Sequence, residues 1–259
     1  MVFKKNKIMI DFIIPCHPKD FPSLELASKG ILDNISCHNR LFVISNQDPN
    51  FKNVIHIPEQ KYSKYITIEK IYNIWMSKNP NLAYRCKWIY QQFVKLLSGK
   101  IIDDVTESFV IVDSDTIFLR DVSFDIDKFN YSKASEYHWP YLDPVRNLLN
   151  IENTIGFSTI SHHCIFNKNK LNKMINEIET RFNKPISDAV LDVINYNESS
   201  CFSEWDLYAN YMLLNYPDMC DQRQLVWNNF AFIPNESDLN KLKKDNDFIS
   251  CHAWMRGLE

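Results

Sequence analysis

The sequence predicts an α/β fold with a largely parallel central sheet. Apolar runs at residues 8–14, 41–44 and 54–57 have the length and composition of buried strands. Apolar residues with helical spacing lie between the first and second runs and again after the third. Strands that alternate with helices are typical of a parallel sheet flanked by helices.

The other elements follow in chain order. Helices are predicted over residues 24–35, 66–76 and 84–97, and Gly99 is expected to end the third helix in the left-handed conformation. A fourth buried strand is predicted at residues 109–112. Beyond it we predict helices over 141–149, 170–182, 186–194 and 203–214, extended chain over 157–166 and a last strand over 248–252.

The composition fits one large globular domain. The 259 residues are 45% hydrophobic, and 17 Phe, 12 Tyr and 6 Trp can fill a sizeable core. A formal net charge of −3 gives no electrostatic support for general nucleic-acid binding. The apolar runs are far shorter than the ~20 residues of a membrane span, so no span is expected.

The cysteines predict a reducing compartment. All seven are scattered, and no two form a C-x-x-C pair, so we expect reduced thiols in a cytoplasmic protein. The N-terminal apolar stretch is interrupted by Asp11 and closed by Pro15. These two residues favour a first strand over a signal peptide.

Two aspartates directly follow the predicted strand at 109–112. Asp113 and Asp115, separated by Ser114, lie at the carboxyl end of that strand, where ligands bind in open α/β sheets. A one-residue gap directs both side chains to the same side of an extended chain. Paired carboxylates suit Mg²⁺ or Mn²⁺, with phosphates in the other coordination positions. The alternative is a polar turn, since Asp and Ser are common turn residues.

Six segments carry a resemblance to a known family, in its expected order along the chain. They are IDFIIPCHPKD, YRCKWIYQQFVKL, IVDSDTIFL, ISHHCIF, SEWDLYANY and CHAW. This ordered set resembles the metal-dependent nucleotide-sugar glycosyltransferases of the GT-A fold. More narrowly, it resembles a little-characterised group from bacteria and large DNA viruses.

The resemblance implies a fold, a reaction and a set of partners. The fold is GT-A, a Rossmann-like mixed central sheet flanked by helices. The reaction moves a sugar from a nucleoside-diphosphate sugar, with a UDP-sugar favoured, to a hydroxyl of a glycan or other acceptor, assisted by Mn²⁺ or Mg²⁺. Within a single domain over residues 1–259, residues 1–120 would bind the nucleotide sugar. Residues 121–259 would serve the acceptor and end in a metal-ligand tail.

The turn after the first strand is a candidate nucleotide contact. Pro15 and Pro18 stiffen it, and in GT-A enzymes the corresponding turn lies by the nucleotide. The resemblance therefore implies that Lys19 meets a phosphate and His17 a ribose or base. The alternative is a stiff surface turn with a solvated lysine.

The helix over 84–97 offers a second donor contact. Arg85, Trp88, Gln92 and Lys95 share one helical face. Guanidinium, indole, amide and ammonium groups suit a base and a diphosphate. The alternative is the solvated face of an amphipathic helix. The resemblance favours a donor-facing helix, with Arg85 and Gln92 the leading candidates.

Two adjacent histidines lie in the predicted extended segment. His162 and His163 would point to opposite faces of a strand, so at most one faces the site, where it could contact the sugar or acceptor. Together with Cys164, Cys251 and His252 they include zinc-ligand types. The usual spacing of zinc ligands is absent, which argues against a structural zinc ion.

The helix over 203–214 begins with two acidic residues. Ser203 is the expected N-cap, and Asp206 three residues later fits a capping box. Glu204 is less committed to capping and is the preferred catalytic carboxylate, either as base toward the acceptor hydroxyl or as a ligand of a sugar hydroxyl. Asp206 is the second candidate. Trp205 could form an apolar wall for a sugar or could be core.

The chain ends with one more candidate ligand. Several GT-A families complete the metal site with a late histidine, so the resemblance implies that His252 joins Asp113 and Asp115 on the ion. Arg256 could meet a phosphate, and Ser114 lies between the two aspartates. The alternative is a surface histidine near a frayed terminus.

Two other functions fit the sequence less well than glycosyl transfer. A sugar-1-phosphate nucleotidyltransferase would need a glycine-rich N-terminal loop, but the chain has only 4 Gly and none before Gly30. An inactive carbohydrate-binding module of the same fold would not need the D-x-D motif and the late histidine. Inverting and retaining transfer both stay open at this point.

Overall fold

The computed structural model describes residues 9–134 and 137–257. The strands are β1 (Ile10–Pro15), β2 (His38–Ser45), β3 (Ile55–Pro58), β4 (Ser108–Val112), β5 (Thr116–Phe118), β6 (Phe129–Tyr131), β7 (His163–Asn167), β8 (Cys220–Gln222), β9 (Trp227–Asn229) and β10 (Phe248–Ser250). The α-helices are α1 (Phe21–Asn34), α2 (Ile68–Lys78), α3 (Cys86–Ile101), α4 (Leu142–Leu149), α5 (Lys168–Phe182), α6 (Ile186–Val193), α7 (Glu204–Asn215) and α8 (Glu236–Leu242). Ile8, assigned above to the first strand, lies outside the described residues.

A five-stranded mixed sheet forms the centre of the fold, in the order β3-β2-β1-β4-β7. Strands β1 to β4 run parallel, as predicted, and β7 is antiparallel to β4. Every residue of β1 and β4 is buried, as expected of strands covered on both faces. Parallel pairing places the carboxyl ends of β1 and β4 side by side. Residues 16–20 and 113–115 therefore emerge next to each other.

A smaller sheet, in the order β5-β10-β9, fixes the end of the chain. β10 pairs antiparallel with β5, so that Ser250 lies opposite Thr116. The pairing continues past the strand, where Cys251 N donates to Asp115 O at 2.9 Å. The late histidine is thus carried to the D-x-D motif by sheet pairing.

A buried charge explains the polar residue in the apolar first strand. Asp11 is fully buried, and its carboxylate accepts hydrogen bonds from Arg40 Nη2 (2.7 Å), Asn39 Nδ2 (2.8 Å) and Thr106 N (2.9 Å). A carboxylate satisfied in this way can lie in a core without the large penalty of an unpaired charge.

The predicted helices are mostly confirmed, with shifted ends. The predicted N-cap is confirmed, because Asp206 N donates to Ser203 Oγ at 3.1 Å. The prediction over 84–97 is wrong at both ends. Tyr84 and Arg85 belong to a preceding 3₁₀ segment, and α3 continues to Ile101.

Two backbone predictions are wrong for identifiable reasons. Gly99 does not end α3. It lies inside the helix, where a Cβ atom would come within 2.9 Å of the Phe109 ring, so the glycine permits close packing of α3 on β4. Of the extended segment predicted over 157–166, only β7 is a strand. His162 has a φ of +59°, a left-handed conformation that interrupts strand geometry.

No helix among the described residues has both the length and the apolar character needed to cross a membrane. All seven cysteines lie within those residues, and each is a free thiol.

Gly30 is expected to be essential for packing α1 on β5. A Cβ atom there would lie 2.8 Å from the Phe118 carbonyl oxygen, a backbone atom that cannot rotate away. We predict that Gly30→Ala destabilises the fold by about 1–3 kcal/mol. This should lower Tm by roughly 3–10 °C in a thermal melt. Lys29→Ala, at an exposed position of the same helix, is the matched control, and an equal Tm for both variants would contradict the packing argument.

Candidate active site

The candidate site lies at the carboxyl edge of the central sheet, where β4 ends. Asp113 N donates to His162 O and Thr116 N donates to Asp113 O, both at 3.0 Å, so the chain turns sharply after the strand. His162 Nδ1 lies 3.8 Å from Asp113 Oδ2, and His252 Nδ1 lies 3.1 Å from Asp115 Oδ2. The two imidazole centroids are 4.7 Å apart. Both carboxylates therefore border one region.

A buried ammonium joins two carboxylates beside this turn. Lys95 is 4% exposed, and its Nζ lies 2.7 Å from Asp113 Oδ1 and 3.3 Å from Glu204 Oε1. The Trp205 ring lies beneath it, with Nζ 4.2 Å from the ring centroid. The three charged groups come from α3, the end of β4 and the first turn of α7. One cation thus holds together three elements that are distant in sequence.

The charges of this cluster shift each other's pKa. Burial disfavours the ionised form of Asp113, but the Lys95 ammonium and His162 outweigh burial and hold its pKa well below the usual range. Burial also raises the pKa of Glu204, to about 7, although Lys95 opposes the shift. Burial would lower the pKa of Lys95, but the two carboxylates outweigh it and raise that pKa. At neutral pH, Lys95 and Asp113 are therefore ionised, and Glu204 titrates.

Asp115 and His252 fit a divalent cation completed by phosphate oxygens. His252 Nδ1 lies 3.1 Å from Asp115 Oδ2, within hydrogen-bond distance, so the two side chains that would hold the ion already meet. Asp115 Oδ1 is buried and has no hydrogen-bond partner among the described residues. A buried carboxylate oxygen of this kind is unfavourable unless an ion, a ligand or an ordered water satisfies it.

The charge balance of the cluster would favour an added cation, but few protein ligands are available to hold one. Asp113, Asp115 and Glu204 bring three carboxyl groups against the one ammonium of Lys95. Across residues 9–134 and 137–257, no three His, Cys, Asp or Glu side chains converge closely enough to hold an ion unaided. Mg²⁺ typically keeps one or two carboxylates and takes its other ligands from substrate phosphates and water. Because Asp113 is engaged by Lys95, Asp115 and His252 are the better candidates of the three predicted metal ligands.

The turn after β1 forms a neighbouring wall. His17 and Lys19 are exposed there, and Lys19 N donates to His17 Nδ1 at 3.2 Å. Between this turn and the tail, Asp20 Oδ1 and Arg256 Nη2 face each other at 3.7 Å. Both atoms are buried, and neither makes a hydrogen bond within the described chain. Asp20 directly follows Lys19 in the motif, but its residue type and position alone do not mark it as a site residue.

Pro15 and Ser114 lie deeper than the sequence analysis expected. Pro15 is the buried last residue of β1. Ser114 is buried, and its hydroxyl hydrogen-bonds with the Cys16 side chain. Burial raises the pKa of the Cys16 thiol to about 12. Both residues shape the base of the site, and neither presents its side chain openly to a donor.

The face of α3 that was expected to meet the donor is occupied by protein contacts. Arg85 Nε donates to Ser199 O at 2.6 Å, and the Arg85 guanidinium lies 4.9 Å from the centroid of the Trp88 ring. Gln92 is buried, and its Nε2 donates to Trp88 O at 3.1 Å. Arg85 precedes α3, but its guanidinium still reaches Trp88 on the helix. The loop before α7 contacts Arg85, while Gln92 and Lys95 are buried, so each of the three side chains already has a partner within the protein.

The side chains of His162 and His163 point in different directions, as predicted. The cause is a left-handed turn at His162 and not the alternation of side chains along a strand. His162 reaches Asp113 and His252, at the site. His163 is buried, where its Nε2 contacts Arg223 Nη2 at 3.1 Å, and burial holds its pKa well below the ordinary value. The left-handed turn at His162 separates the two side chains. His163 is therefore corrected from a substrate contact to a core residue.

The two acidic residues in the first turn of α7, Asp206 and Glu204, make different contacts. Asp206 Oδ1 accepts from Ser158 Oγ at 3.2 Å and from Thr159 N at 3.3 Å, so it anchors the preceding loop. Glu204 joins Lys95 instead. Trp205 is buried beneath Lys95, so of its two predicted roles, sugar-facing wall or core, the structure favours core.

Comparison with known proteins identifies the fold. No protein-family model and no curated protein sequence matches the chain. The chain is similar to the apo crystal structure of mouse xyloside xylosyltransferase 1, with 9% identity, a TM-score of 0.52 and coverage of 96% of this chain and 99% of that one. It is also similar to galactosyltransferase LgtC in complex with donor and acceptor sugar analogues, with 13% identity, a TM-score of 0.47 and coverage of 93% and 87%. Together with the mixed sheet, the first likeness shows that this chain has the GT-A fold.

The raised pKa of Glu204 predicts a pH-dependent stability. Its folded-state pKa of about 7 exceeds the ordinary 4.5, so protonation favours the folded state. The contribution is fully present below pH 4.5 and is lost as the pH rises through 7. We predict that Glu204→Gln removes this slope, which amounts to about 3 kcal/mol in the free energy of unfolding.

Urea unfolding of the apo protein at several pH values between 4.5 and 8 measures this slope. Glu69→Gln, at an exposed position of α2, is the control and should keep the wild-type pH dependence. Parallel curves for wild type and Glu204→Gln would show that Glu204 is ionised throughout this range.

Proposed function

We propose that the protein is a metal-dependent glycosyltransferase that uses a nucleoside-diphosphate sugar, with UDP as the favoured nucleotide. The observation that carries the proposal is the pairing of Asp115 with His252 at the end of β4, including the orphaned Asp115 Oδ1. On a GT-A fold this position is the carboxyl edge of the sheet, where ligands bind in open α/β sheets. The preference for UDP comes from the sequence resemblance.

The surrounding residues suit a diphosphate. Lys19 is exposed on one side of the site, and Arg256 on the other side has a buried nitrogen without a hydrogen-bond partner in the described chain. A guanidinium and an ammonium are the side chains best matched to phosphate oxygens. We assign both to the donor, with His17 beside them for the ribose or base. When bound, the divalent cation would neutralise charge on the leaving nucleotide diphosphate.

The acceptor side centres on Glu204. Its pKa of about 7 suits a general base near neutral pH. A base must also come within hydrogen-bond reach of the acceptor hydroxyl, and Glu204 is 1% exposed behind Lys95. We therefore propose that Glu204 acts through Lys95, holding Asp113 in place, as a positioning residue.

Donor binding should depend on Asp115. UDP should raise Tm, and Mn²⁺ should increase the shift, because ligands that bind only the folded state stabilise it. Asp115→Asn keeps the size of the side chain and removes the charge that a hard cation requires. We predict that this variant loses the Mn²⁺-dependent part of the shift and that its turnover falls at least ~100-fold.

A thermal-shift screen of nucleotides with and without Mn²⁺ checks this prediction. Asp103→Asn, at an exposed position before β4, is the control and should behave as wild type. Binding of GDP without binding of UDP would overturn the choice of uracil as the nucleotide base. The absence of any nucleotide binding would overturn the function.

The tail should become more ordered on ligand binding. If His252 and Arg256 contact the metal and diphosphate, UDP with Mn²⁺ should slow amide hydrogen exchange over residues 248–256. At 100 times Kd the slowing can reach roughly 100-fold. His252→Ala should abolish the Mn²⁺-dependent part of this protection.

His56→Ala is the matched control, because His56 lies on β3 and bonds to Ser45 O instead of to the site. His162 is unsuitable as a control because its ring contacts that of His252. Full Mn²⁺-dependent protection in His252→Ala would remove His252 from the metal site.

A further inference from the structure

Asp20 has no role in the assignments above, although its carboxylate faces the tail that carries His252. It is the N-cap residue of α1, a position where an aspartate side chain usually accepts a hydrogen bond from the first turn of the helix. The Asp20 side chain makes no such bond. Its Oδ1 lies 3.7 Å from Arg256 Nη2 instead. The carboxylate is therefore available for a task other than helix capping.

The backbone of the tail anchors one edge of the Arg256 guanidinium. Arg256 Nε donates to Cys251 O at 3.1 Å, and Cys251 N donates to Asp115 O at 2.9 Å. The guanidinium is thus attached to the segment that pairs with the D-x-D motif. Within the described chain, Nε is the one guanidinium nitrogen that makes a hydrogen bond. The other N–H donors of Arg256 are left for a ligand.

A guanidinium in this position needs a counter-charge. The Arg256 side chain is only 11% exposed, and its Nη2 is buried. Removal of an unpaired charge from water is strongly unfavourable, so an isolated arginine would turn toward solvent. The Asp20 carboxylate, on a side chain that is 15% exposed, supplies the opposite charge. Asp20 thereby stabilises Arg256 in its buried position beside the candidate site.

Asp20 also lies within electrostatic range of the candidate metal ligand. Burial raises the pKa of Asp20, and the Asp115 carboxylate raises it further. The Arg256 guanidinium acts in the opposite direction and lowers this pKa. The Asp20–Arg256 pair therefore belongs to the same charged region as Asp115.

The separation of the two charges indicates attraction without a closed hydrogen bond. Charge-assisted hydrogen bonds between nitrogen and oxygen are about 2.7–2.9 Å long, whereas Arg256 Nη2 and Asp20 Oδ1 are 3.7 Å apart and share no hydrogen bond. Asp20 thus holds the guanidinium without occupying its N–H donors. A diphosphate can bond to those donors without first breaking a hydrogen bond between the two side chains.

We propose that Asp20 is a positioning residue that holds the Arg256 guanidinium in place for the diphosphate of the donor. The inference rests on the proposed function, because it takes a diphosphate as the ligand of Arg256. Guanidinium groups form strong charge-assisted hydrogen bonds with phosphate oxygens. An arginine that is fixed before binding loses less conformational freedom when the diphosphate arrives. Asp20 therefore raises donor affinity through Arg256.

A double-mutant cycle tests this role. UDP is titrated by calorimetry, in the presence of Mn²⁺, into wild type, Asp20→Asn, Arg256→Gln and the double variant. We expect Kd to rise roughly 10- to 100-fold in Arg256→Gln and roughly 3- to 10-fold in Asp20→Asn. The double variant should bind UDP as Arg256→Gln does, because Asp20 acts through Arg256. Asp33→Asn, the same substitution at an exposed position of α1, is the control and should match wild type.

Two further measurements separate positioning from a general disturbance of the site. Uridine lacks the phosphates, so Asp20→Asn should leave its Kd unchanged, whereas a disturbed site would weaken uridine and UDP alike. Asp20→Glu keeps the negative charge and should bind UDP more tightly than Asp20→Asn. A thermal melt of the same samples shows whether each variant is folded.

The outcomes distinguish this inference from the proposed function. An unchanged Kd of UDP in Asp20→Asn would overturn the inference alone, and a lower Kd would do so by showing that Asp20 competes with the diphosphate for Arg256. Additive losses in the double variant would also overturn it, because Asp20 would then act independently of Arg256. A wild-type protein that binds no nucleotide would overturn the proposed function, and this inference with it.

Discussion

The buried ion cluster of Lys95, Asp113 and Glu204 is the constraint on which the site depends. One ammonium lies between two carboxylates, and it joins α3, the end of β4 and the first turn of α7. Loss of one member of such a cluster leaves a buried charge unpaired, which typically costs about 3–5 kcal/mol. The cluster therefore fixes the first turn of α7 against α3 and the end of β4. It also gives Asp113 a partner of its own, whereas Asp115 Oδ1 has none among the described residues.

Sheet pairing supplies the second half of the arrangement. The parallel register of β1 and β4 places the turn with Lys19 beside the D-x-D motif, and the antiparallel pairing of β10 with β5 carries His252 to Asp115. His252 lies two residues beyond β10, outside any regular element. Here the hydrogen bond from Cys251 N to Asp115 O continues the pairing directly to it.

The sequence was sufficient for the fold class and for the Asp115–His252 pair, because apolar strands and a family motif are local signals. It was insufficient to predict what the side chains on this face of α3 contact. Periodicity identifies which residues share a face, but only the tertiary fold determines that the loop at Ser199 covers Arg85. For a similar reason, the sequence predicts that Gly99 ends α3. Its packing partner, Phe109, comes next to it only when the sheet has formed. No sequence pattern marks Asp20 as a site residue, because only the fold brings it close to Arg256.

The central claim is that Asp115 and His252 hold a divalent cation that in turn holds the donor diphosphate. A crystal structure with Mn²⁺ and UDP, with data collected at the manganese absorption edge, tests this claim most directly. We predict one anomalous peak between Asp115 and His252, in contact with the UDP phosphates and absent from crystals of Asp115→Asn. A UDP molecule bound with no manganese peak at this position, or a peak that involves neither residue, would contradict it.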